Sequence, residues 1–151
     1  FHQEGKYMKL VVFNVGSALC VYAEHQTTRI VFDIGKGNNF SPVNDFLLPL
    51  YEKRGEHRLK NRNNRYGISQ LIVSHPHKDH ISDIQEFDKN FYAHLLTTPN
   101  SKSPNGNPQN INWRKITTPD DPDVKYLKRM KIGRNLPLRS FDSEHLKIGY
   151  L

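Results

Sequence analysis

Three apolar, strand-favouring stretches follow one another within the first 35 residues: KLVVFNV (Lys9 to Val15), ALCVYAEH (Ala18 to His25) and TTRIVFDIG (Thr27 to Gly35). Val, Ile, Phe and Tyr dominate them, and short polar breaks such as Gly16-Ser17 separate them, so they predict a β meander. The first of the three reads as a buried strand. A chain that opens this way must bury a sheet face, and the segments that follow have to supply the cover.

Those segments alternate in type. Ser41-Pro42 is a helix start, with Ser41 as cap and Pro42 in the first turn. Val43, Phe46, Leu47, Leu50 and Tyr51 then recur at helical spacing, and Gly55 ends the run. RNNRYG (Arg62 to Gly67) reads as a loop, and ISQLIVSH (Ile68 to His75) as a short buried strand. HISDIQEFDKNFYAHLL (His80 to Leu96) predicts one helix with Ile81, Ile84, Phe87 and Phe91 on its apolar face. Residues 97–123 are loop-rich, DPDVKYLKRMKIG (Asp121 to Gly133) holds a short helix with Gly133 past its end, and the last stretch has weak strand character. The order β-β-β-α-β-α-α predicts one mixed α/β domain over residues 1–151, with 1–7 a flexible or extraneous lead-in before Met8.

Composition narrows the class. The chain has 151 residues and one cysteine, Cys20, so neither a disulfide framework nor a cysteine-built zinc site is available. That fits a reducing compartment, and the cytoplasm is the expected location. No apolar run reaches the roughly 18–20 residues of a membrane span. Met8 to Ala23 has the outline of a short signal peptide, but Asn14 and Gly16 interrupt it and its residues favour strands. The net charge of +7 suits a polyanion, nucleic acid above all, or simply a solvated basic surface. The densest run is Tyr51 to Arg65, with Lys53, Arg54, Arg58, Lys60, Arg62 and Arg65. It reads either as a patch that steers such a partner or as a solvated helix end and loop.

The chemistry concentrates in SHPHKDH, Ser74 to His80, where a strand ends and a loop begins. Imidazole and carboxylate are ligands for Zn²⁺ and also serve Mn²⁺ or Fe²⁺. In an extended segment His75 and His77 point the same way and can share one metal. Asp79 and His80 project differently and can address a second. Two metals roughly 3.5–4 Å apart can hold a bridging hydroxide and clamp a phosphoryl or acyl group. The competing reading is a polar loop whose histidines cap a helix, and four ligand-type side chains in six residues weigh against it.

LIVSHPHKDHISDI resembles the signature of the metallo-β-lactamase superfamily, and the opening resembles that family's first strands, with Asp33 and Gly35 matching its D-x-G turn. Within the superfamily the stretch is most similar to the hydrolase domain of ComEC-type competence proteins. The resemblance covers about residues 9 to 90. It implies an αββα sandwich with metal at its edge, His75 and His77 on one ion, Asp79 and His80 on the other, and a bridging hydroxide as nucleophile. Asp79 would also be catalytic, orienting that water, and Asp33 would support the ligands from behind or merely shape the turn. Asn14 and Ser82-Asp83 depart from the competence-type pattern without removing a ligand. The family's second, β-rich half carries further ligands, and no matching strand end follows here; His145 is a further candidate ligand, ahead of His94. The resemblance therefore implies the N-terminal half of a sandwich, incomplete at its C-terminus, with exposed edges that favour self-association or a complementing half.

Three functions are consistent with these readings. The first is a hydrolase of phosphodiesters, nuclease-like, with two divalent metals, zinc foremost. The second keeps the metal but takes a β-lactam, thioester or lactone. The third is a non-catalytic metal- or nucleic-acid-binding module. Trp113 could stack on a base.

Overall fold

The computed structural model describes residues 7–74, 76–99, 120–130 and 135–138. The lead-in at 1–6, most of the loop-rich stretch, Trp113, Gly133, His75 and His145 lie outside the described residues.

The predicted meander forms: β1 (Lys9–Val12), β2 (Cys20–His25) and β3 (Thr28–Ile34) pair in antiparallel order. β1 is not the buried strand expected. It is the edge of the sheet, and Leu10 and Val12 are exposed. β5 (Arg65–Ile72) then runs parallel to β3, β6 (Phe91–Pro99) parallel to β5, and β7 (Asn135–Leu138) parallel to β6. The sheet order is β1-β2-β3-β5-β6-β7, with the two-residue strand β4 (Arg58–Leu59) paired antiparallel to β5. The domain is thus a mixed α/β fold on one seven-stranded sheet. No helix among the described residues is long and apolar enough to cross a membrane.

The helical cover begins as expected. Ser41 Oγ accepts from Asn44 N at 3.1 Å, while Asp45 Oδ2 accepts from Ser41 N at 2.7 Å, a reciprocal cap. The first segment, Pro42–Leu47, winds as a π-helix before α1 (Leu48–Lys53). Val43, Leu47 and Tyr51 are buried, and Gly55 closes the helix at a φ of 66°. Two short helices follow the histidine cluster, α2 (Lys78–Ile81) and α3 (Ile84–Asn90), and α4 (Pro122–Arg129) comes later.

Here the expected single helix over His80 to Leu96 is corrected. It breaks at Ser82-Asp83 and ends at Asn90, and Phe91 to Pro99 is the parallel strand β6. Phe-Tyr-Ala-His-Leu-Leu-Thr-Thr is rich in aromatic and β-branched residues, and pairing with β5 satisfies its backbone. Phe91 keeps its burial but as a strand residue, in edge contact with Tyr51 at 5.0 Å between ring centres. RNNRYG is also corrected. Asn63 and Asn64, at φ of 54° and 59°, turn the chain tightly from the 3₁₀ turn Lys60–Arg62 into β5.

The core joins sheet and helices. Tyr22, Val31, Leu71 and Leu96 form one rung across β2, β3, β5 and β6 and are all buried, packed with Val43, Leu47, Ile81, Ile84 and Phe87. Each such side chain contributes about 1.5–3 kcal/mol on burial. Val124 and Leu127 of α4, with Met130 just past its end, complete the cluster. Tyr126 donates to Asp88 Oδ2 at 2.5 Å and Arg65 Nη1 donates to Asp88 Oδ1 at 2.8 Å, tying α4, α3 and β5 together. Burial, then the Asp88 carboxylate, pushes the Tyr126 hydroxyl up to about 12, so it stays a donor.

One contact fixes how the ends of these elements meet. Gly35 N donates to Leu19 O at 2.8 Å, and Leu19 N donates to Asp79 O at 3.0 Å. A Cβ on Gly35 would lie 2.1 Å from Asp79 O and 2.8 Å from Ala18 Cβ. Backbone must therefore move to admit any side chain. Gly35→Ala is expected to lower stability by about 1–3 kcal/mol. Urea unfolding checks this, and an unchanged midpoint would show that the β3 end has room the geometry denies.

Candidate metal and phosphate site

The site lies past the carboxyl ends of the parallel strands β3 and β5, where open α/β sheets place their ligand clefts. Its first determinant is a bulge. Between Cys20 and Val21 the β2–β3 register shifts, so that Phe32 and Ile34 are paired and Asp33 is the extra residue. Asp33 takes a φ of 54°, a left-handed conformation that Asp tolerates better than most residues. The bulge turns its side chain toward the end of β5.

There the carboxylate, 1 % exposed, accepts three hydrogen bonds. Ser74 N donates to Oδ1 at 2.7 Å and Ser74 Oγ to Oδ2 at 2.5 Å. His80 Nδ1 donates to Oδ2 at 2.9 Å. With Nδ1 carrying the proton, the acceptor nitrogen of the neutral ring is Nε2, which faces Asp79 Oδ2 at 3.4 Å. A carboxylate behind a histidine that sets its tautomer and aim is the arrangement found behind metal-binding histidines.

Asp79, His77 and Lys78 line a cleft of about 600 Å³ with Lys36, Ser17 and Ser82. The cleft continues into a recess of about 370 Å³ bounded by Asn14, Gly16 and the Lys36 to Phe40 loop. Asp79 is half exposed, whereas Asp33 is closed off from solvent. The two carboxylates are thereby separated in role: one holds a ring and the other faces the cleft.

Among the described residues no group of three or more His, Cys, Asp or Glu is gathered to hold a metal ion. What they bring together is one imidazole and one carboxylate, Asp79 and His80, with His77 on the same cleft wall. This donor set suits a divalent cation of the zinc, manganese or iron kind. His94 is elsewhere: it is exposed on β6, edge-on to Tyr92 at 5.3 Å. Cys20 is fully buried, and burial followed by the charges of Asp83 and Asp33 pushes its thiol far up, so it stays protonated.

Several site residues have no metal-ligand signature and carry little sequence signal. Ser74 matters because its N–H and hydroxyl both reach Asp33. Lys36 is the basic residue of the Gly-Lys-Gly turn after β3, and Lys36 N donates to Ser82 Oγ at 2.7 Å. Asp83 is buried and joins three elements: its N–H donates to Ile34 O at 2.8 Å, and Oδ2 accepts from Ser41 Oγ at 2.7 Å and Val43 N at 3.0 Å. Its Oδ1 has no partner among the described residues. Burial raises the Asp83 carboxyl above the ordinary range, and its bonds from Ser41 and Val43 only partly oppose this.

Two predictions follow from these carboxylates. Asp33→Asn keeps the left-handed backbone but exchanges one acceptor for an amide facing donors, and should cost about 1–3 kcal/mol in urea unfolding. Equal stability of parent and variant would mean the three bonds are not held in solution. For Asp83 the folded state favours the proton, so the parent is favoured at low pH. Its stability should fall as pH rises from the ordinary carboxylate pKa, about 4, through the raised folded value. Asp83→Asn should flatten that part of the profile, and superimposable profiles would show that Asp83 titrates normally. No protein-family model matches the chain, and no curated protein matches it.

Proposed function

We propose that the chain is a metal-dependent phosphodiester hydrolase of the metallo-β-lactamase kind, and that its sheet and helices form one half, a sheet with its helix layer, of an αββα sandwich. The observation that carries this reading is the Asp33–His80–Asp79 chain: a buried carboxylate aims an imidazole whose other nitrogen lies 3.4 Å from a cleft-facing carboxylate. The motif spacing, with His75 and His77 just before this pair, and the bulged aspartate followed by a tightly packed glycine support the same assignment.

His80 and Asp79 would hold the divalent ion, with His77 and, from the motif, His75 beside them. When bound, such an ion makes a water-derived nucleophile available near neutral pH and neutralises charge on the substrate's oxygens. The remaining tasks fall to the chain. Asp33 keeps the His80 proton on Nδ1 through the cycle. Asp79 accepts a hydrogen bond from the attacking water and orients it. Lys36 and Lys78, both on the cleft wall, attract a phosphate and favour the added negative charge of its transition state. Ser17 and Ser82 offer hydroxyls to non-reacting oxygens.

A phosphodiester is favoured over a β-lactam, thioester or lactone because two lysines border the cleft and the chain carries a net charge of +7. A second reading is a non-catalytic metal- or nucleic-acid-binding module. It is favoured by the convergence of only two ligand-type side chains among the described residues.

The deciding experiment measures metal content and hydrolysis of single-stranded DNA and of an activated phosphodiester, in parent, His80→Ala and Asp79→Asn. The hydrolase reading expects retained divalent metal and metal-dependent turnover. It also expects His80→Ala to lose most of the metal and Asp79→Asn to lose about 100-fold or more in rate. Metal bound without turnover on any diester would establish the binding module instead.

A further inference from the structure

The most basic segment of the chain is not the solvated loop its composition suggests. Arg58 to Arg65 folds back on the sheet as β4, a 3₁₀ turn and the start of β5, and its arginines lie on tyrosine rings. The Arg58 guanidinium carbon sits 4.3 Å from the centre of Tyr66. Arg62 and Arg65 lie 4.8 Å and 5.3 Å from the centre of Tyr92. Both rings are buried beneath this layer, at 5 % and 6 % exposure. The guanidinium groups are also pinned by backbone: Arg58 Nη1 donates to Asn64 O at 3.1 Å, and Arg65 Nε donates to Arg62 O at 2.9 Å. The segment packs closely, since a Cβ on Gly67 would meet Leu59 Cδ1 at 3.2 Å and His94 Nε2 at 3.1 Å.

Charge is not cancelled evenly across this surface. Asp88 takes Arg65, Glu24 takes Arg54, and Glu56 takes Arg29. Among the described residues no carboxylate lies within ion-pair distance of Lys53, Arg58, Lys60 or Arg62; of their acidic neighbours along the chain, Glu52 is exposed and Glu56 is taken by Arg29. Arg62 is exposed and Arg58 partly exposed, so each stacked guanidinium presents an outer face and N–H edge to solvent. The outer face can stack on an unpaired base and the edge can bind a phosphate. Because the side chains are already ordered, little rotamer entropy remains to be lost on binding.

We infer that the Arg58–Arg62 hairpin is a docking surface for single-stranded nucleic acid, separate from the cleft. It stands at the amino end of β5, and the cleft lies past the carboxyl end of the same strand. At about 3.3 Å per residue the eight residues of β5 place the two roughly 25 Å apart. A strand of several nucleotides can therefore rest on the hairpin while a diester some distance along it enters the cleft. This inference takes its substrate class from the proposed hydrolysis, but the docking itself requires neither metal nor turnover.

The test is binding of a fluorescent 16-nucleotide single strand in EDTA, measured by anisotropy over a salt series. The proteins are the parent, Arg58→Gln/Arg62→Gln and Arg58→Lys/Arg62→Lys, each checked for folding by thermal melting. The glutamine pair should weaken binding on the order of tenfold or more at low salt and reduce the slope of log K against log salt by about 1.4, the share of two phosphate contacts on a single strand. The lysine pair should keep that slope yet bind more weakly than the parent, because it cannot stack. Parent-like affinity and slope in a folded glutamine pair would overturn the inference. So would a parent that binds duplex DNA or polyglutamate as tightly as the single strand. Docking in a parent that hydrolyses no diester would leave the hairpin assignment standing while the hydrolase reading falls.

Discussion

The carboxylate of Asp33 is the interaction on which the site depends. It is buried and left-handed in backbone, and it stands as the extra residue of a bulge. Each of these features costs energy alone, of order 1–3 kcal/mol for the backbone. They persist because the carboxylate accepts three hydrogen bonds from two residues across the β3–β5 boundary. The bonds to Ser74 anchor the chain leaving β5, and the bond to His80 sets the first turn of α2. Asp33 thereby converts two strand ends that are neighbours by sheet pairing into one rigid corner. Gly35, two residues later, lets the Asp79 carbonyl approach the same corner from the other side.

Much of this corner was legible in the residue order. The meander, the Ser41 cap and the placement of the histidine cluster at a strand end all follow from local chemistry: β-branched runs, a capping hydroxyl before proline, and an apolar run that stops at Ser74. The bulge was not legible, since nothing in TTRIVFDIG distinguishes a regular strand end from one that inserts a residue. Its effect could only be inferred through resemblance, as a D-x-G turn. The roles of Ser74 and Asp83 were also hidden, because each acts through partners about 40 residues away in sequence.

The errors have a common physical cause. Ile81, Ile84 and Phe87 establish a helical period, and extending it to Phe91 and Leu96 follows the pattern beyond the point where pairing decides. From Phe91 onward the segment finds an open edge on β5, and a parallel rung buries Phe91, Ala93 and Leu96 as well as a helix face would. β1 errs in the opposite direction. Its apolar composition suggested burial, yet it occupies the sheet edge, where three of its four residues are exposed. In both cases position in the sheet overrides the preference of the local sequence.

The Tyr51–Arg65 run shows how far composition can go before geometry must take over. A cluster of basic residues is normally a dispersed, mobile charge, with an effect that depends on ionic strength. Here two adjacent asparagines in left-handed conformations fold it onto the sheet, and Tyr66 and Tyr92 receive the arginines as flat partners. The tyrosines gain a cover that is not hydrophobic, and the arginines gain a fixed orientation. One strand, β5, then carries an ordered cationic surface at its start and the carboxylate–imidazole corner just past its end. A ligand that could use both would be long, anionic and flexible, and among biological polymers a single nucleic-acid strand meets all three requirements and also offers bases to the exposed guanidinium faces.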